Sequence, residues 1–175
     1  MAMKIISVGA PVGAADMNEY FVNTKFATKP NDDSRASTAT ATNDPDLQLQ
    51  VDANKLYLLE VHLVIYSPVG GGNFKCGFNA PAGSILYGSG FCHDPAGSGN
   101  VVLYSYDSTV NGLFTGVNAG NSNGVTGLND TFMISGILDT AGTAGTLALK
   151  WAQSSSNGNS TTLRAGSSML VRRVS

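Results

Sequence analysis

Two histidines are the side chains best suited to acid–base chemistry in this chain of 175 residues. His62 follows Glu60 by two positions inside an apolar run, so both side chains share a face if the run is a strand. Catalysis would also need a nucleophile on that face, and the sequence offers none. We therefore interpret Glu60 and His62 as a buried or interface polar pair, which on an oligomer axis would fix the register of the subunits.

The second histidine belongs to the run Cys92-His93-Asp94, in which every side chain is a possible metal ligand. Adjacent residues of a strand point to opposite faces, so the three do not converge easily on one ion. No second pair of ligands has a suitable spacing, and we predict no metal and no cofactor. Cys92 and Cys76 are predicted to be free thiols in or near the core, because a reducing compartment disfavours disulfides. A bridge between them stays open, since the sequence does not set their separation.

The remaining polar motifs do not predict an active site. The glycine run 70–73 lacks the Gly-Lys-Ser/Thr ending of a phosphate-binding loop. The acidic positions 32–33 and 44–46 lack the glycine-centred loop of dedicated calcium sites, and we interpret them as solvated turn residues. Arg172 and Arg173 fall on opposite faces of a strand and form no patch. With no Ser–His–Asp order and no glycosidase carboxylate pair, the sequence predicts a protein that is not an enzyme.

Alternation of apolar and polar residues places these side chains on strands. Leu147, Leu149 and Trp151 alternate with alanine and lysine, which predicts a half-buried strand with Trp151 in the core or at a subunit interface. The range 161–174 predicts a further strand, which closes the domain as an antiparallel hairpin with the first. The range 55–66 is apolar on both faces, which predicts a central strand covered on both sides. Further strands are predicted at 47–51, 74–78, 84–87, 101–106, 113–117 and 130–139.

Composition favours one β-rich domain. Charged residues make up 13% of the chain and glycine accounts for 21 residues, which suits a turn-rich sandwich and not disorder. The net charge of −2 predicts neither nucleic-acid binding nor binding to an anionic membrane. No run approaches the roughly 18 apolar residues of a membrane helix, and the first residues lack the apolar core of a signal peptide, so we expect folding in a cytoplasm. The predicted fold class is all-β: an antiparallel β-sandwich (jelly roll) with a short N-terminal helical arm.

Three segments are predicted: an N-terminal arm with a short helix at 1–24, a loop or edge segment at 25–45 with an edge strand at 37–42, and a jelly-roll β-domain at 46–175. In the arm, Met17, Tyr20 and Phe21 recur at the spacing of one helix face. A helix this short is marginal alone, so its apolar stripe must dock, either on its own domain or on a neighbouring subunit or host particle. The candidate interface residues are Met17, Tyr20, Phe21, Glu60, His62 and Trp151.

Several stretches of the chain resemble small virion proteins of tailed bacteriophages, among them capsid decoration and minor tail proteins. The resemblance covers most of residues 14–174 and implies a jelly roll like the heads of tumour necrosis factor and complement C1q, which commonly form trimers. It implies no functional residue. The similar stretches are Ala14-Ala-Asp-Met-Asn18, the ranges 31–47 and 51–58, Phe78-Asn-Ala-Pro-Ala-Gly83, Leu149-Lys-Trp-Ala-Gln153 and Thr162-Leu-Arg-Ala-Gly-Ser167.

The first functional hypothesis is a trimeric capsid decoration protein that stabilises the head from its outer surface. The alternative is a minor tail or fibre-tip protein that binds a host receptor or a saccharide. The expected partners are further copies of the chain and a major capsid protein or a tail protein, and the expected location is the virion, assembled in the host cytoplasm. Copy number per particle separates the two hypotheses, because decoration requires far more copies than a tail tip.

Overall fold

The computed structural model of the chain is an all-β sandwich of two antiparallel sheets. It describes residues 23–68, 70–93, 101–109, 113–117 and 129–174, and no residue in these ranges is helical. The helical arm predicted at 1–24 lies outside them except for its last two residues. None of the described segments is a helix with the length and hydropathy needed to cross a bilayer. The strands are β1 (Thr24–Thr28), β2 (Asp33–Arg35), β3 (Thr42–Val51), β4 (Leu56–Tyr66), β5 (Phe74–Asn79), β6 (Ile85–His93), β7 (Val101–Thr109), β8 (Leu113–Val117), β9 (Asn129–Asp139), β10 (Gly145–Ala152), β11 (Thr161–Leu163) and β12 (Ser168–Arg173).

The chain crosses repeatedly between the two sheets. The larger sheet has eight strands in the order β1-β12-β4-β9-β6-β7, with β11 paired to β4 and β2 paired to β11. The smaller sheet has the order β3-β10-β5-β8. From β3 onward each strand enters the opposite sheet from the one before it, except for the hairpin of β6 and β7 and the final pair β11 and β12. Strands predicted at 74–78, 113–117 and 130–139 are confirmed, and those predicted at 84–87 and 101–106 extend further.

The closing hairpin predicted from the last segments is wrong. Strand β10 pairs with β3 and β5 in the smaller sheet, whereas β12 pairs with β1 and β4 in the larger one. The polar range 154–160 therefore carries the chain from one sheet to the other and does not fold it back beside β10. Strand β12 is hydrogen-bonded on both sides, by β1 and by β4.

Alternate residues of the strands form one core between the sheets. On β4, Tyr57, Leu59, Val61, Leu63 and Ile65 are all buried, while the residues between them point away from the core. Burial of each such large apolar side chain contributes about 1.5–3 kcal/mol to stability. The prediction that this strand is covered on both sides is wrong in the described structure, because no third layer covers the outer side of the larger sheet there. Positions 56, 60 and 62 are accordingly exposed.

The segment 25–45 contains edge strands. Strand β1 pairs with β12 at one border of the larger sheet, and β2 pairs with β11. The edge strand hypothesised at 37–42 is limited to Thr42, the first residue of β3. Strand β3 begins there because Thr42 pairs with Trp151 beyond a register shift in β10 between Ala148 and Lys150.

Two glycines allow the backbones of β6 and β9 to approach each other in the larger sheet. Gly88 of β6 lies directly opposite Gly136 of β9. A Cβ atom on Gly136 would lie 2.5 Å from the carbonyl oxygen of Tyr87, and one on Gly88 would lie 2.8 Å from that of Ser135. Neither backbone oxygen is free to move away, since both belong to the ladder, so a side chain at either position would force the strands apart. The two glycines therefore permit the close pairing of β6 with β9, and this pairing sets the positions of the outward side chains described below.

Candidate functional site

Glu60 and His62 share the outer face of β4, and both are exposed. Their cross-strand neighbours are Leu170 and Ser135 for Glu60, and Ser168 and Met133 for His62. The interpretation of the two residues as a pair buried within the domain is wrong, because the inward positions of β4 are occupied by the core. An interface between subunits remains the role that their position allows.

Trp151 lies inside the sandwich with none of its surface exposed. Its ring stacks on Phe74, with centroids 5.6 Å apart, and the Arg35 guanidinium carbon lies 3.9 Å from the ring centroid on the indole. The indole Nε1 donates a hydrogen bond to Asp44 Oδ2 at 3.1 Å. A side chain enclosed in this way is a core residue of the protomer and offers no stacking surface to a saccharide.

The other polar residues singled out in the sequence have structural partners or lie outside the description. Cys76 and Cys92 are buried and are not joined in a disulfide, and burial raises the pKa of Cys76 well above its ordinary value. Asp32 accepts hydrogen bonds from Arg164 Nη1 at 2.6 Å and from the backbone N–H of Ala165 at 2.8 Å, which pins one loop to another. Among the described residues, no three His, Cys, Asp or Glu side chains lie close enough together to hold a metal ion. Of the residues singled out in the sequence, Met17, Tyr20, Phe21 and Asp94 lie outside the residues that the structure describes.

The outer face of the larger sheet collects the exposed apolar side chains of the domain. Tyr87 is 51% exposed and Ile137 44%, and they lie opposite one another on β6 and β9, with Leu58 of β4 next in the same row. Alternation along each strand directs all these side chains away from the core. We call this surface the outer apolar face. Wherever side-chain exposure is described, the large apolar residues that are exposed lie on it: Phe26, Leu56, Tyr87, Phe91, Ile137 and Val174.

Polar residues interrupt the outer apolar face on its central strands. Glu60, Ser135 and Ser89 form a row across β4, β9 and β6, and the same row continues into the apolar Leu170 of β12 and Phe26 of β1. Side chains opposite one another on antiparallel strands have their Cβ atoms about 4.5–5.5 Å apart, so each row is a continuous strip. On β9 and β6 the polar row lies between the apolar pair Ile137 and Tyr87 and the apolar pair Met133 and Phe91. Exposed apolar surface bordered by polar residues is a mark of protein–protein contacts.

A second arrangement, buried between the sheets, consists of Lys29, Asp44 and Asp46, which we call the ionic cluster. Lys29 Nζ donates to Asp44 Oδ2 at 2.9 Å and to Asp46 Oδ2 at 3.0 Å. The side chains of Lys29 and Asp44 are 1% and 0% exposed, whereas that of Asp46 is 32% exposed. The interpretation of positions 44–46 as solvated turn residues is therefore wrong for Asp44.

Local geometry explains why Asp44 points inward. Pro45 has no N–H to give to the ladder, and the burial pattern of β3 changes phase there, so that Asp44 and Leu47 are both buried. Asp44 Oδ1 then accepts the backbone N–H groups of Asp46 and Leu47, each at 3.0 Å. Lys29 faces Asp44 because it continues the inward alternation of β1 beyond Ala27.

The hydrogen bonds of the ionic cluster favour the charged forms of both partners. Burial by itself lowers the pKa of Lys29, but the hydrogen bonds to Asp44 and Asp46, together with the negative charges of both, outweigh burial and leave the pKa raised. Burial by itself raises the pKa of Asp44, but the hydrogen bonds from Lys29, Asp46 N–H and Leu47 N–H, together with the positive charge of Lys29, outweigh burial and leave the pKa lowered. In the structure the cluster is therefore an ion pair that links β3 of the smaller sheet to the end of β1 in the larger one.

No protein-family model matches the chain, and no curated protein matches it. Two solved structures to which it is similar are that of infectious bursal disease virus Gt strain and that of the VP2 subviral particle of infectious bursal disease virus. The sequence identities are 13% and 14%, the TM-scores 0.20 and 0.21, and the matches cover 86% and 87% of this chain. The chain spans 40% and 36% of the length of those two chains. At such TM-scores the likeness carries no argument about function.

Proposed function

We propose that this chain is a non-enzymatic structural subunit of a virus particle, which assembles with copies of itself through its outer apolar face. The observation that carries the proposal is the segregation of exposed large apolar side chains onto that one face. Phe26 is 60% exposed and Tyr87 51%. Large exposed apolar surfaces are uncommon on monomeric proteins, and removing them from water drives association.

We propose a homotrimer in which β4 lies near the threefold axis. Strand β4 is internal to the larger sheet, with β12 on one side and β9 on the other, so its outer side chains occupy the middle of the face. Leu56 and Leu58 supply apolar contact area, while Glu60 and His62 supply polar groups beside it. Polar groups within an otherwise apolar interface select one register, because any other register leaves them without partners.

The strand order supports assignment of the fold as a jelly roll. Consecutive strands alternate between the sheets, and within each sheet the neighbours are mostly distant in sequence, such as β1 with β12 and β3 with β10. These long connections are characteristic of the Greek-key wrapping of double-sheet jelly rolls. Together with the resemblance of several stretches to virion proteins of tailed bacteriophages, this favours capsid decoration as the role of the trimer.

Light scattering during size-exclusion chromatography tests the assembly. The molar mass at micromolar concentration is expected to equal three chains. The variant Ile137→Glu places a charge at the centre of an apolar row and is expected to elute as a monomer. Gln50→Glu places the same charge on the exposed side of β3 in the smaller sheet and should leave the trimer intact. A stable monomer of the unsubstituted protein would contradict the proposed assembly.

Quantitative mass spectrometry of purified particles of the virus that encodes this chain tests the role. Copy numbers comparable with that of the major capsid subunit support decoration, whereas absence from the particle would contradict a structural role. A copy number typical of a tail tip would favour the second candidate, a receptor-binding minor tail protein. The exposed rings of Tyr87 and Phe91, which flank Ser89 on the same face, favour that candidate, because aromatic rings beside hydroxyl groups are suited to saccharides.

A further inference from the structure

Within the ionic cluster, the amine of Lys29 lies against the carboxyl group of Asp44, and neither of these two side chains is exposed to water. Lys29 Nζ lies 2.9 Å from Asp44 Oδ2, and the two side chains are 1% and 0% exposed. Both backbones are fixed: the N–H of Lys29 donates to the carbonyl of Ser167, and Asp44 belongs to β3. Groups held at contact distance by a rigid fold react as if at very high concentration, and exclusion of water removes the reverse hydrolysis.

The groups around this pair are those that amide formation requires. Asp46 Oδ2 lies 3.0 Å from the same Nζ and is placed to take a proton from it. The N–H groups of Asp46 and Leu47 both point at Asp44 Oδ1, which is the arrangement that stabilises negative charge on a carbonyl oxygen under attack. Trp151 Nε1 donates to Oδ2, the oxygen that would leave.

We propose that Lys29 and Asp44 join in an intramolecular isopeptide bond, formed by the folded chain without any other reactant. The reaction starts when a proton passes from the ammonium group to the Asp44 carboxylate, which removes both buried charges together. The Nζ lone pair then forms a bond to Asp44 Cγ, while Asp46 accepts a proton from Nζ. The bond between Cγ and Oδ2 breaks, and Oδ2 leaves as water with the proton it received and the one that Asp46 returns. Nothing is oxidised or reduced.

The bond would link the two sheets covalently. It joins residues that are 15 positions apart, one at the end of β1 and the other in β3, on opposite layers of the sandwich. A covalent link of this kind restricts the unfolded chain and opposes separation of the sheets. The inference does not depend on the proposed function, since it concerns a site that is buried within one protomer.

Intact mass spectrometry of the denatured full chain tests the bond directly. The mass is expected to be lower than that of the sequence by one water molecule. Lys29→Met removes the amine and should have the full mass of its sequence, and Asp46→Asn should retain the full mass or lose water much more slowly. The matched control is Lys25→Met, which removes a lysine paired with Asp52 at the surface and should still lack one water. A full mass for the unsubstituted protein overturns the proposal and leaves an ion pair only.

Peptide mapping locates the bond and does not depend on whether the variants fold. Trypsin cuts after Lys25, Arg35 and Lys55 but not before Pro30, so Lys29 and Asp44 fall in the separate peptides 26–35 and 36–55. The linked pair has the same mass as uncut 26–55, and fragmentation separates the two, because only the linked pair has two amino termini. A water loss that maps to any other position overturns the proposal.

Discussion

Replacement of Asp44 by alanine is expected to destabilise the domain more than any exposed substitution. The carboxylate accepts hydrogen bonds from Lys29 Nζ, Trp151 Nε1 and the N–H groups of Asp46 and Leu47. Removing one partner of a buried ion pair costs about 3–5 kcal/mol, because the other charge remains buried. Loss of the proposed isopeptide bond would add to this cost, because the unfolded chain would no longer be restricted by a covalent link. Asp46 still contacts Lys29 in this variant, which places the cost of breaking the ion pair at the lower end of that range. Each N–H donor that loses Asp44 and that water cannot reach adds about 1–3 kcal/mol to the loss.

Urea unfolding followed by far-ultraviolet circular dichroism measures this loss at one fixed protein concentration. Lys25→Met is the control, since Lys25 is partly exposed and its pair with Asp52 spans 3.9 Å, for which less than about 1 kcal/mol is expected. The double variant Lys29→Met/Asp44→Ala removes both charges and should be more stable than Asp44→Ala alone. The reasoning is refuted if Asp44→Ala and Lys25→Met unfold at the same urea concentration, or if the double variant is the least stable of the set.

Three further outcomes are expected. Trp151→Ala should cost about 3–5 kcal/mol of stability and lower Tm strongly, whereas Phe91→Ala on the outer apolar face should hardly change Tm of the dissociated chain. The tryptophan fluorescence of the unsubstituted protein should be blue-shifted and should not be quenched by iodide. The Ala165 N–H and Arg164 lower the pKa of Asp32 in the folded protein. Its contribution to stability is therefore present above a pH of about 4 and is lost as the pH falls through the lowered pKa, and Asp32→Asn should weaken this pH dependence of Tm. Deletion of residues 1–22, which stops before β1, should leave the circular dichroism spectrum of the sandwich but abolish binding to virus particles; unchanged binding would contradict a role for the arm in attachment.

The strand pattern could be predicted from the sequence, but the pairing of the strands could not. Leu147, Leu149 and Trp151 alternate, and β10 runs through them. Proximity along the chain then suggested a hairpin with the next strand, because sequential strands often pair. In this fold the polar range 154–160 crosses between layers. Nothing local distinguishes a crossing loop from a hairpin loop of similar composition, and only the competition among all strands for partners decides it.

The ionic cluster was missed for a different reason. The segment containing Lys29 has two prolines and many aspartates and small polar residues, and these obscured the short alternation of Lys25, Ala27 and Lys29. Had β1 been recognised, Lys29 would have fallen on the inward side, and a buried lysine needs an anionic partner. The partner, Asp44, could still not be identified, because Pro45 shifts the alternation of β3 and reverses the face on which its neighbours lie.

The domain departs twice from the usual distribution of side chains, because it buries the charged pair Lys29 and Asp44 and exposes large apolar side chains on its outer apolar face. The two departures have separate consequences. Lys29 and Asp44 act within one protomer, so their effect on unfolding should not depend on protein concentration. Ile137 and Tyr87 act between protomers, so their effect should vanish on dilution below the dissociation constant. Ile137→Glu should therefore change molar mass without restoring the missing water, and Lys29→Met should restore the water without changing molar mass. If either Ile137→Glu or Lys29→Met altered both the molar mass and the water loss, formation of the bond within one protomer and assembly of the protomers would be coupled.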